Sequence, residues 1–424
     1  MNIEKIFESR RFHLVAGLLI AISTFLIYSN TFNASFHFDD TTSIVENYSI
    51  KSLNNWIDIV RGQRGVAMLS LAINYAIGGM NVVGYHIVNL AIHITNSILV
   101  YFLIFLTLNR IDSFTGRAKK IAIYTALLFA VHPIQTQAVT YIVQRMETLA
   151  SMFMLIGLLL FIKGTGVIRM PAKVLLYGAV AISYILGFYS KEIAITLPAI
   201  IFLYDYCFLA NGSLKKLMSR LPIYIIIISI FGFLAAPTFT GLQETPGVST
   251  GSGASAGFNV QGITPKEYLF TQFNVLIYYI ILLFVPINQN VDYDFPISKG
   301  LFEVPVVKEG TVLNYPIPPA FVSLIILLAI VGFALYLLLL KRTTTDNGYG
   351  QRSLIAFFIL WFFIILSPTS SFVPIIDVIF EHRLYLPSVG FFFLFSLTFD
   401  QFFEYLERRA QNSKGRGSQS VKES

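Results

Sequence analysis

Long apolar runs alternate with short polar segments along the whole chain. A membrane-spanning helix needs roughly 20 mostly apolar residues. Runs near that length occur at residues 13–32, 86–107, 121–138, 147–162, 174–189, 193–209, 221–240, 320–340, 353–373 and 384–402. The first run follows Arg10 and Arg11 and has no small-residue cleavage site before Phe36, so we predict a retained helix rather than a signal peptide. The pattern predicts an all-α polytopic membrane protein with about ten transmembrane helices.

Composition supports a membrane location and argues against other classes. Of the 424 residues, 55% are hydrophobic and 12% are charged, and the mean hydropathy is +0.69, whereas a soluble domain has about 25% charged residues. The net charge is +7, but the basic residues cluster at the ends of apolar runs, which sets membrane orientation rather than nucleic-acid binding. The single cysteine, Cys207, excludes a disulfide framework or a cysteine-based metal site within this sequence.

An eleventh apolar run, residues 269–286, decides the orientation of everything after it. If this run does not cross, most of the 30 Lys and Arg residues fall on the cytoplasmic side. If it does cross, they divide equally between the two sides. The positive-inside rule favours the first arrangement. We therefore predict a non-crossing outer-face helix at 269–286, with both termini in the cytoplasm.

This topology divides the chain into four predicted units and places most acidic residues outside. The units are a catalytic transmembrane module at 1–241, an outer-face loop at 242–319, C-terminal spans at 320–402 and a cytoplasmic polar tail at 403–424, unstructured from Arg408. A Gly/Ser-rich stretch, 245–257, predicts a flexible loop. The candidate chemistry is expected on the outer face.

The most suggestive acidic pair, Asp39 and Asp40, follows the first span in the sequence FHFDD. Adjacent carboxylates repel each other, which raises one pKa or favours a cation or hydroxyl partner. A hydrated loop start is the simpler interpretation. The position beside a span end, between aromatic residues, favours function.

Further polar residues occur where lipid would not tolerate them unpaired. In the second span, four polar residues form one helical stripe that faces the bundle interior, either for interhelical hydrogen bonding or for ligand contact: His86, Asn89, His93 and Asn96. Between later spans lie donor-rich turns that suit a hydroxylated ligand or a phosphate: His132, Gln137, Arg145, Glu147, Lys191 and Glu192. The simpler interpretation of the first of these turns is an Arg145–Glu147 ion pair.

The last outer segment contains Glu381, His382 and Arg383 before a final span. A planar guanidinium suits bidentate phosphate binding, and a snorkelling anchor is the alternative. The triplet Asp292-Tyr293-Asp294 resembles the DxD metal site of nucleotide-sugar transferases, but three residues are a weak signal, and we expect no such site here.

Five segments occur in an order that resembles a known family. They are FHFDDTTSIVEN, YHIVNLAIHITNSILVYFL, LLFAVHPIQTQAVTYIVQRMETLASMF, YSKEIAITLPAIIFLYD and EHRLYLPSVGFF. Together they resemble the membrane half of the transmembrane and tetratricopeptide-repeat containing O-mannosyltransferases and their bacterial relatives, which are C-type glycosyltransferases. The resemblance implies catalysis by Asp39 or Asp40 and donor-phosphate contact by Arg383. The tetratricopeptide repeats are absent from this sequence, which leaves a protein acceptor open.

The chemistry of sugar transfer from a polyprenyl phosphate agrees with this resemblance. A base must take the acceptor proton, and a cation must stabilise the departing phosphate. We predict a donor-binding group of Arg383, Arg145, His382 and Lys191. We predict a sugar and acceptor pocket formed by His37, His86, His132, Gln137, Glu147, Glu192 and Glu381. A divalent cation on Asp39 and Asp40 stays open, and no other cofactor is expected.

The expected partners are a polyprenyl-phosphate-linked sugar, a protein or glycolipid acceptor and membrane lipid, with no nucleic acid. The expected location is a bacterial inner membrane, with the active site on the periplasmic face. A lipid-linked sugar flippase or another polytopic transporter is the main alternative, since intramembrane polar residues also line transport paths. A scaffold is a third, and it would leave Asp39, Arg145 and Arg383 without a role.

Overall fold

The protein is built from α-helices joined by short single turns of other helix types and, after the helix that ends at Phe284, by a long segment without helix at 285–313. The computed structural model describes residues 11–240, 256–258, 260–313, 315–340 and 349–420. In this part of the chain the helices, numbered in order, are α1 Arg11–Tyr28, α2 Trp56–Arg61, α3 Gly65–Gly78, α4 Val82–Leu108, α5 Ala118–Val131, α6 Thr136–Thr140, α7 Arg145–Thr165, α8 Met170–Phe188, α9 Leu197–Tyr204, α10 Leu214–Met218, α11 Leu221–Thr240, α12 Pro265–Phe284, α13 Ala320–Leu339, α14 Tyr349–Leu366 and α15 Ser388–Ser420.

The prediction of an all-α polytopic membrane protein is confirmed. Among the described residues, seven helical segments are long and apolar enough to cross a bilayer: Arg11–Thr31, Val82–Leu108, Ile142–Thr165, Met170–Phe188, Glu192–Leu209, Pro265–Phe284 and Ala320–Leu339. Shorter apolar helices occur at Gly65–Gly78, Leu221–Leu234 and Gly350–Leu366. Each predicted apolar run contains a helix, while the number of spans stays a prediction.

Burial separates helices inside the bundle from helices at its edge. In α4, 56% of the most apolar window is buried, against 17% in α13, whose Leu328 and Leu339 side chains are exposed. A helix that is apolar on all sides and still exposed needs lipid around it. α13 therefore lies at the lipid-facing edge of the bundle.

The two ends of the bundle are defined by contacts between α5 and α15. At one end Gln135, just after α5, donates a hydrogen bond from Nε2 to Ser388 Oγ at 2.9 Å. At the other end Arg117 pairs with Asp400 at 2.9 Å. The two helices are therefore antiparallel. We call the first end, which contains residues 132–144 and 381–388, the site end, and the second, which contains residues 109–117, the basic end.

Helix α12 contacts the site end at both of its termini. Near its start, the Tyr268 hydroxyl donates to the Thr369 carbonyl, just after α14, at 2.6 Å. At its end, the Phe284 ring packs edge-on against Phe391, in the first turn of α15, with centroids 4.7 Å apart. Both neighbours belong to the segment that joins α14 to α15 or to the helix start directly after it. The length and apolarity of α12 alone would also suit a crossing helix.

One sequence prediction is wrong, and others fall outside the described residues. The tail predicted to be unstructured from Arg408 continues α15 as far as Ser420. At the start of this extension Glu404 approaches Arg408, one turn later, at 3.8 Å, a spacing that supports a helix. Most of the predicted flexible loop at 245–257 lies outside the described residues, as do residues 421–424. At the loop's end, the Gly257 N–H donates to the Pro374 carbonyl at 2.8 Å.

Close packing of α14 against α15 depends on Gly390. A Cβ atom built there would lie 2.3 Å from the Phe358 carbonyl oxygen, whereas one at Gly332, on exposed α13, meets nothing within 4 Å. We expect Gly390→Ala to lose about 1–3 kcal/mol of stability by overpacking. Its melting temperature in detergent should fall by several degrees, while Gly332→Ala should match or slightly exceed the wild type. Equal melting temperatures for the two variants would contradict this packing.

Candidate active site

The loop after α1 has an unusual backbone around the two aspartates. Phe38 has φ +46°, a left-handed conformation that is rare outside glycine. Residues Thr41–Val45 then form a single π-helical turn, a feature frequent at functional sites. Strained backbone of this kind persists only where surrounding contacts hold it. Asp39 and Asp40 lie between the two irregularities.

Asp40 provides the contacts that hold this loop. Its carboxylate is buried, with 1% exposure. Oδ1 accepts the Val143 N–H at 2.7 Å, and Oδ2 accepts the His37 N–H at 3.2 Å. Burial raises the pKa of Asp40 to about 6, and the two backbone N–H groups limit the rise. The side chain joins the loop to the turn Ile142–Gln144 that precedes α7.

Asp39 has different surroundings from its neighbour. It is exposed, and its backbone N–H donates to the Tyr141 hydroxyl at 2.7 Å. The Tyr141 hydroxyl in turn interacts with the Asp39 carboxyl, which raises the tyrosine pKa together with burial, the larger cause. One aspartate thus anchors the loop, and the other lies exposed beside Tyr141.

A cavity of about 470 Å³ opens beside these residues at the site end. Its walls come from the Asp39-Asp40 loop, from α6, from the segment after α12 and from the start of the Glu381 turn. In the described part of the chain, its lining carries carboxylates and neutral hydrogen-bonding groups but neither Lys nor Arg; the polar members are Ser35, His37, Asp40, Thr136, Gln137, Thr140, Tyr141, Gln289, Asn290 and Glu381. Such a lining suits the hydroxyl groups of a sugar or an acceptor better than a phosphate.

Glu381 fixes the wall opposite the loop. Its Oε1 accepts the Asn290 N–H at 2.8 Å and the Tyr293 hydroxyl, and its Oε2 accepts Gln289 Nε2 at 2.7 Å. Burial is the main cause that raises the pKa of this carboxyl, and the donors oppose it. Glu381 therefore connects the segment after α12 to the turn before α15.

Gln137 and His382 continue the same wall. Gln137 Oε1 accepts the His382 N–H at 2.7 Å and lies 3.0 Å from His382 Nδ1, while Gln137 Nε2 donates to the Val291 carbonyl at 2.9 Å. Burial lowers the pKa of His382, and the charges of Lys191, Arg383 and Arg64 lower it further. His382 is thus held as a neutral ring.

Arg145 is buried and hydrogen-bonded to neutral groups only. Its donors reach Asn89 Oδ1 and Asn74 Oδ1 at 2.6 Å, the Tyr85 carbonyl at 2.9 Å and the Ser70 carbonyl at 3.2 Å. The simpler interpretation of this turn, an Arg145–Glu147 ion pair, is wrong, because Glu147 pairs instead with Lys191 at 2.9 Å. Arg145 binds α3, α4 and α7 together below the cavity.

Two cations stand beside the cavity wall, and one was not expected from the sequence. Lys191 pairs with Glu147 and donates to Gln144 Oε1 at 3.2 Å. Arg64, from the turn between α2 and α3, pairs with Glu192 at 3.1 Å. In the sequence Arg64 is an ordinary loop arginine between two glycines. Its partner lies 128 positions away, so no local pattern indicates the pair.

The remaining predicted residues make structural contacts, except His37, which lines the cavity. Arg383 is 5% exposed and donates to the Asp377 carbonyl at 2.7 Å and the Val378 carbonyl at 3.3 Å, outside the cavity lining. His132 Nδ1 accepts the Ile134 N–H at 3.2 Å. His86 Nε2 contacts the Ala34 carbonyl at 2.9 Å, and the predicted inward-facing stripe is buried. His37 is exposed at the cavity.

Metal binding is a further role that clustered acidic residues can have. No group of three or more His, Cys, Asp or Glu side chains that could hold a metal ion occurs among the described residues. Asp294, from the weak DxD triplet, pairs with Lys308 at 2.7 Å. Both oxygens of Asp40 accept backbone N–H groups, which leaves Asp39 as the open carboxylate of the pair.

Comparison with known proteins finds relatives with one activity in their names. The chain is 28% identical over 307 residues to a protein O-mannosyl-transferase of Caenorhabditis elegans, which covers 68% of this chain and 40% of that protein. It is 32% identical over 165 residues to human protein O-mannosyl-transferase TMTC2, covering 35% and 19%. It is 33% identical over 138 residues to Drosophila melanogaster protein O-mannosyl-transferase Tmtc1, covering 29% and 15%. No family model and no solved structure matches the chain.

The fold and the site together define an all-α polytopic membrane protein with a polar cavity at one end of its helices. Within that class, the chain is related to the TMTC protein O-mannosyl-transferases, as its five ordered motifs predict. It spans about two fifths of the length of the worm relative and about one fifth of the human one.

The burial of Asp40 predicts a specific dependence of stability on pH. The pKa of Asp40 is about 6 in the folded protein and 3.8 for an ordinary aspartate. Asp40 thus binds its proton more tightly in the folded protein than in the unfolded chain. The free energy of unfolding is therefore highest at low pH and falls as the pH rises through about 6. Relative to Asp40→Asn, which cannot ionise, the wild type should lose up to about 3 kcal/mol between pH 4 and pH 8.

Melting temperatures of both proteins across that pH range measure the difference. Asp58→Asn, at an exposed position on α2, is the matched control and should follow the wild-type curve. Parallel curves for wild type and Asp40→Asn would contradict the buried, ionisable Asp40 described here.

Proposed function

We propose that this protein is a glycosyltransferase that moves a sugar from a polyprenyl-phosphate-linked donor to a hydroxyl group outside the cytoplasm. The observation that carries the proposal is an exposed Asp39 beside a polar cavity, next to a buried, loop-anchoring Asp40 that lines it. The names of the relatives, protein O-mannosyl-transferases, support mannose as the sugar and a protein hydroxyl as the acceptor. An envelope glycolipid is the alternative acceptor.

The chemistry assigns different tasks to the two aspartates. Asp39 takes the proton of the acceptor hydroxyl, the hydroxyl oxygen bonds to the anomeric carbon of the sugar, and the bond from that carbon to the phosphate oxygen breaks. The polyprenyl phosphate leaves with the bonding electrons. Asp40 acts as a positioning residue, because both of its oxygens already accept backbone N–H groups.

The cavity lining supports sugar and acceptor binding. Gln137, Thr136, Thr140 and Asn290 offer amide and hydroxyl groups that exchange hydrogen bonds with sugar hydroxyls. Glu381 and His37 add an acceptor and a ring nitrogen. The surrounding helices keep the donor's lipid tail in the membrane while its sugar enters the cavity. Residues from 1–241, 242–319 and 320–402 all line the cavity, so we assign catalysis to these three predicted units together.

Activity measurements in membranes supplied with polyprenyl-phosphate mannose test these roles. We expect Asp39→Asn to lower the transfer rate at least about 100-fold, because general base catalysis is worth that much or more. Asp40→Asn should also slow transfer, by displacing the loop. The exposed Asp58→Asn variant should keep wild-type activity. Full activity in both Asp39→Asn and Asp40→Asn would refute the proposed function and favour a transporter.

We further propose that the protein spans a bacterial inner membrane ten times, with both termini in the cytoplasm. The site end then faces away from the cytoplasm, and α12 lies at that end without crossing the membrane. The contacts of Tyr268 and Phe284, which attach both ends of α12 to the site end, support this arrangement. So does the excess of Lys and Arg predicted for the cytoplasmic segments.

Single cysteines in a Cys207→Ser background test the topology. Lys266 and Ile287 are exposed residues near the two ends of α12, and Lys215 is an exposed residue between α9 and α11. The three variants are Lys266→Cys, Ile287→Cys and Lys215→Cys. A membrane-impermeant maleimide added to intact cells should label both α12 positions and leave position 215 unlabelled until the cells are opened. Labelling at only one end of α12 would show that the helix crosses.

A further inference from the structure

The backbone of the turn that contains Arg64 is closely constrained by its neighbours. Arg64 has φ +54°, a left-handed conformation that costs a non-glycine residue free energy. The next residue, Gly65, has no room for a side chain, since a Cβ atom would lie 2.2 Å from the Val60 carbonyl oxygen. The Val66 N–H donates to the Tyr189 carbonyl at 3.0 Å and fixes the turn beside Lys191 and Glu192. The backbone thus holds the Arg64 side chain at one place.

Arg64 meets Glu192 with the fork geometry that guanidinium groups also use for phosphates. The Arg64 Nε lies 3.2 Å from both Glu192 carboxylate oxygens, and the Arg64 Nη2 lies 3.1 Å from Glu192 Oε2. Arginine binds carboxylates and phosphates by the same pair of parallel hydrogen bonds. The side chains of Arg64 and Glu192 remain 34% and 45% exposed. A phosphate arriving from outside could therefore replace the carboxylate without unfolding the turn.

The neighbouring ion pair, Lys191 with Glu147, is more buried than the Arg64–Glu192 pair. Lys191 and Glu147 are 13% and 1% exposed, so their contact is fixed inside the protein. Lys191 directly precedes Glu192, the partner of Arg64, so the two cations are held near each other. Burial lowers the pKa of Lys191, and the charge of Arg64 lowers it further. Arg64 Nη1 also lies 3.4 Å from Met146 Sδ, three positions after Val143, whose N–H binds Asp40. The cations are thus near the segment that holds the two-aspartate loop, while the cavity lining itself holds no Lys or Arg among the described residues.

The helices around Arg64 face an apolar environment. Trp56 and Ile57 on α2 and Ile77 on α3 are 54%, 46% and 82% exposed. Exposed tryptophan and aliphatic residues on short helices at the end of a membrane bundle are typical of the interface with lipid. A lipid phosphate is the anion that such surroundings favour at Arg64.

We propose that Arg64, with Lys191 beside it, binds the phosphate of the polyprenyl-phosphate donor, and that Glu192 occupies this site as a carboxylate substitute until the phosphate displaces it. The inference rests on the proposed function and adds to it the phosphate site and a competing internal anion. Arg383, with its guanidinium donating to two backbone carbonyls in a buried turn, is left with a structural role.

Binding of undecaprenyl phosphate to the purified full-length chain in detergent, followed by native mass spectrometry, tests the inference apart from catalysis. The controls are undecaprenol, which has the same tail without phosphate, and competition by inorganic phosphate. We expect Arg64→Gln to weaken undecaprenyl phosphate binding about tenfold, or ~1.4 kcal/mol, without changing undecaprenol binding. Glu192→Gln should tighten it several-fold. Arg61→Gln, an exposed arginine of the same segment, should bind like the wild type.

Two further variants keep the result interpretable. Arg64→Lys retains the charge without the fork and should bind with intermediate strength, so it carries the test if Arg64→Gln does not fold. Asp39→Asn should bind normally while losing transfer, which separates this inference from the proposed function. Binding by Arg64→Gln equal to that of Arg61→Gln, or weaker binding by Glu192→Gln, would overturn the proposal. Equally strong competition by inorganic phosphate would overturn its assignment to a lipid.

Discussion

The carboxylate of Asp40 holds together two chain segments that lie about a hundred positions apart. It accepts N–H groups from its own loop and from Val143, in the turn before α7. Together with the bond from the Asp39 N–H to the Tyr141 hydroxyl, that link maintains the left-handed Phe38 and the π-helical turn Thr41–Val45. The position of Asp39 and one wall of the cavity depend on these contacts.

Charged side chains near lipid need hydrogen-bonding or charged partners, and most of those at the site end have them. Arg145 is satisfied by two amide oxygens and two carbonyls, Glu381 by three donors and Lys191 by Glu147 and Gln144. Unpaired charges in such surroundings would cost several kcal/mol each. Because these groups are bonded to neighbouring helices, the same contacts that neutralise them also fix the shape of the cavity. Arg64 and Glu192 are the exception, since their contact stays partly open to the surroundings.

The sequence correctly predicted the features that depend on a single helix. The apolar runs predict the helices, and the three- and four-residue spacing of His86, Asn89, His93 and Asn96 predicts their shared buried face. It failed where the partner comes from elsewhere in the chain. The expected Arg145–Glu147 pair is two positions apart on a helix and cannot share a face, and Arg64 acquires its significance only from Glu192. The different surroundings of Asp39 and Asp40 likewise depend on a distant N–H group, that of Val143.

A structure of the protein with polyprenyl-phosphate mannose bound tests the central claim most directly, that one end of this bundle holds sugar, phosphate and base together. Electron cryomicroscopy of the complex in a lipid nanodisc would locate all three. The account predicts the sugar in the cavity, its anomeric carbon within reach of an acceptor hydroxyl held by Asp39, and the phosphate on Arg64 with Glu192 displaced. A donor phosphate bound at the basic end, or on Arg383 with Arg64 still paired to Glu192, would contradict it.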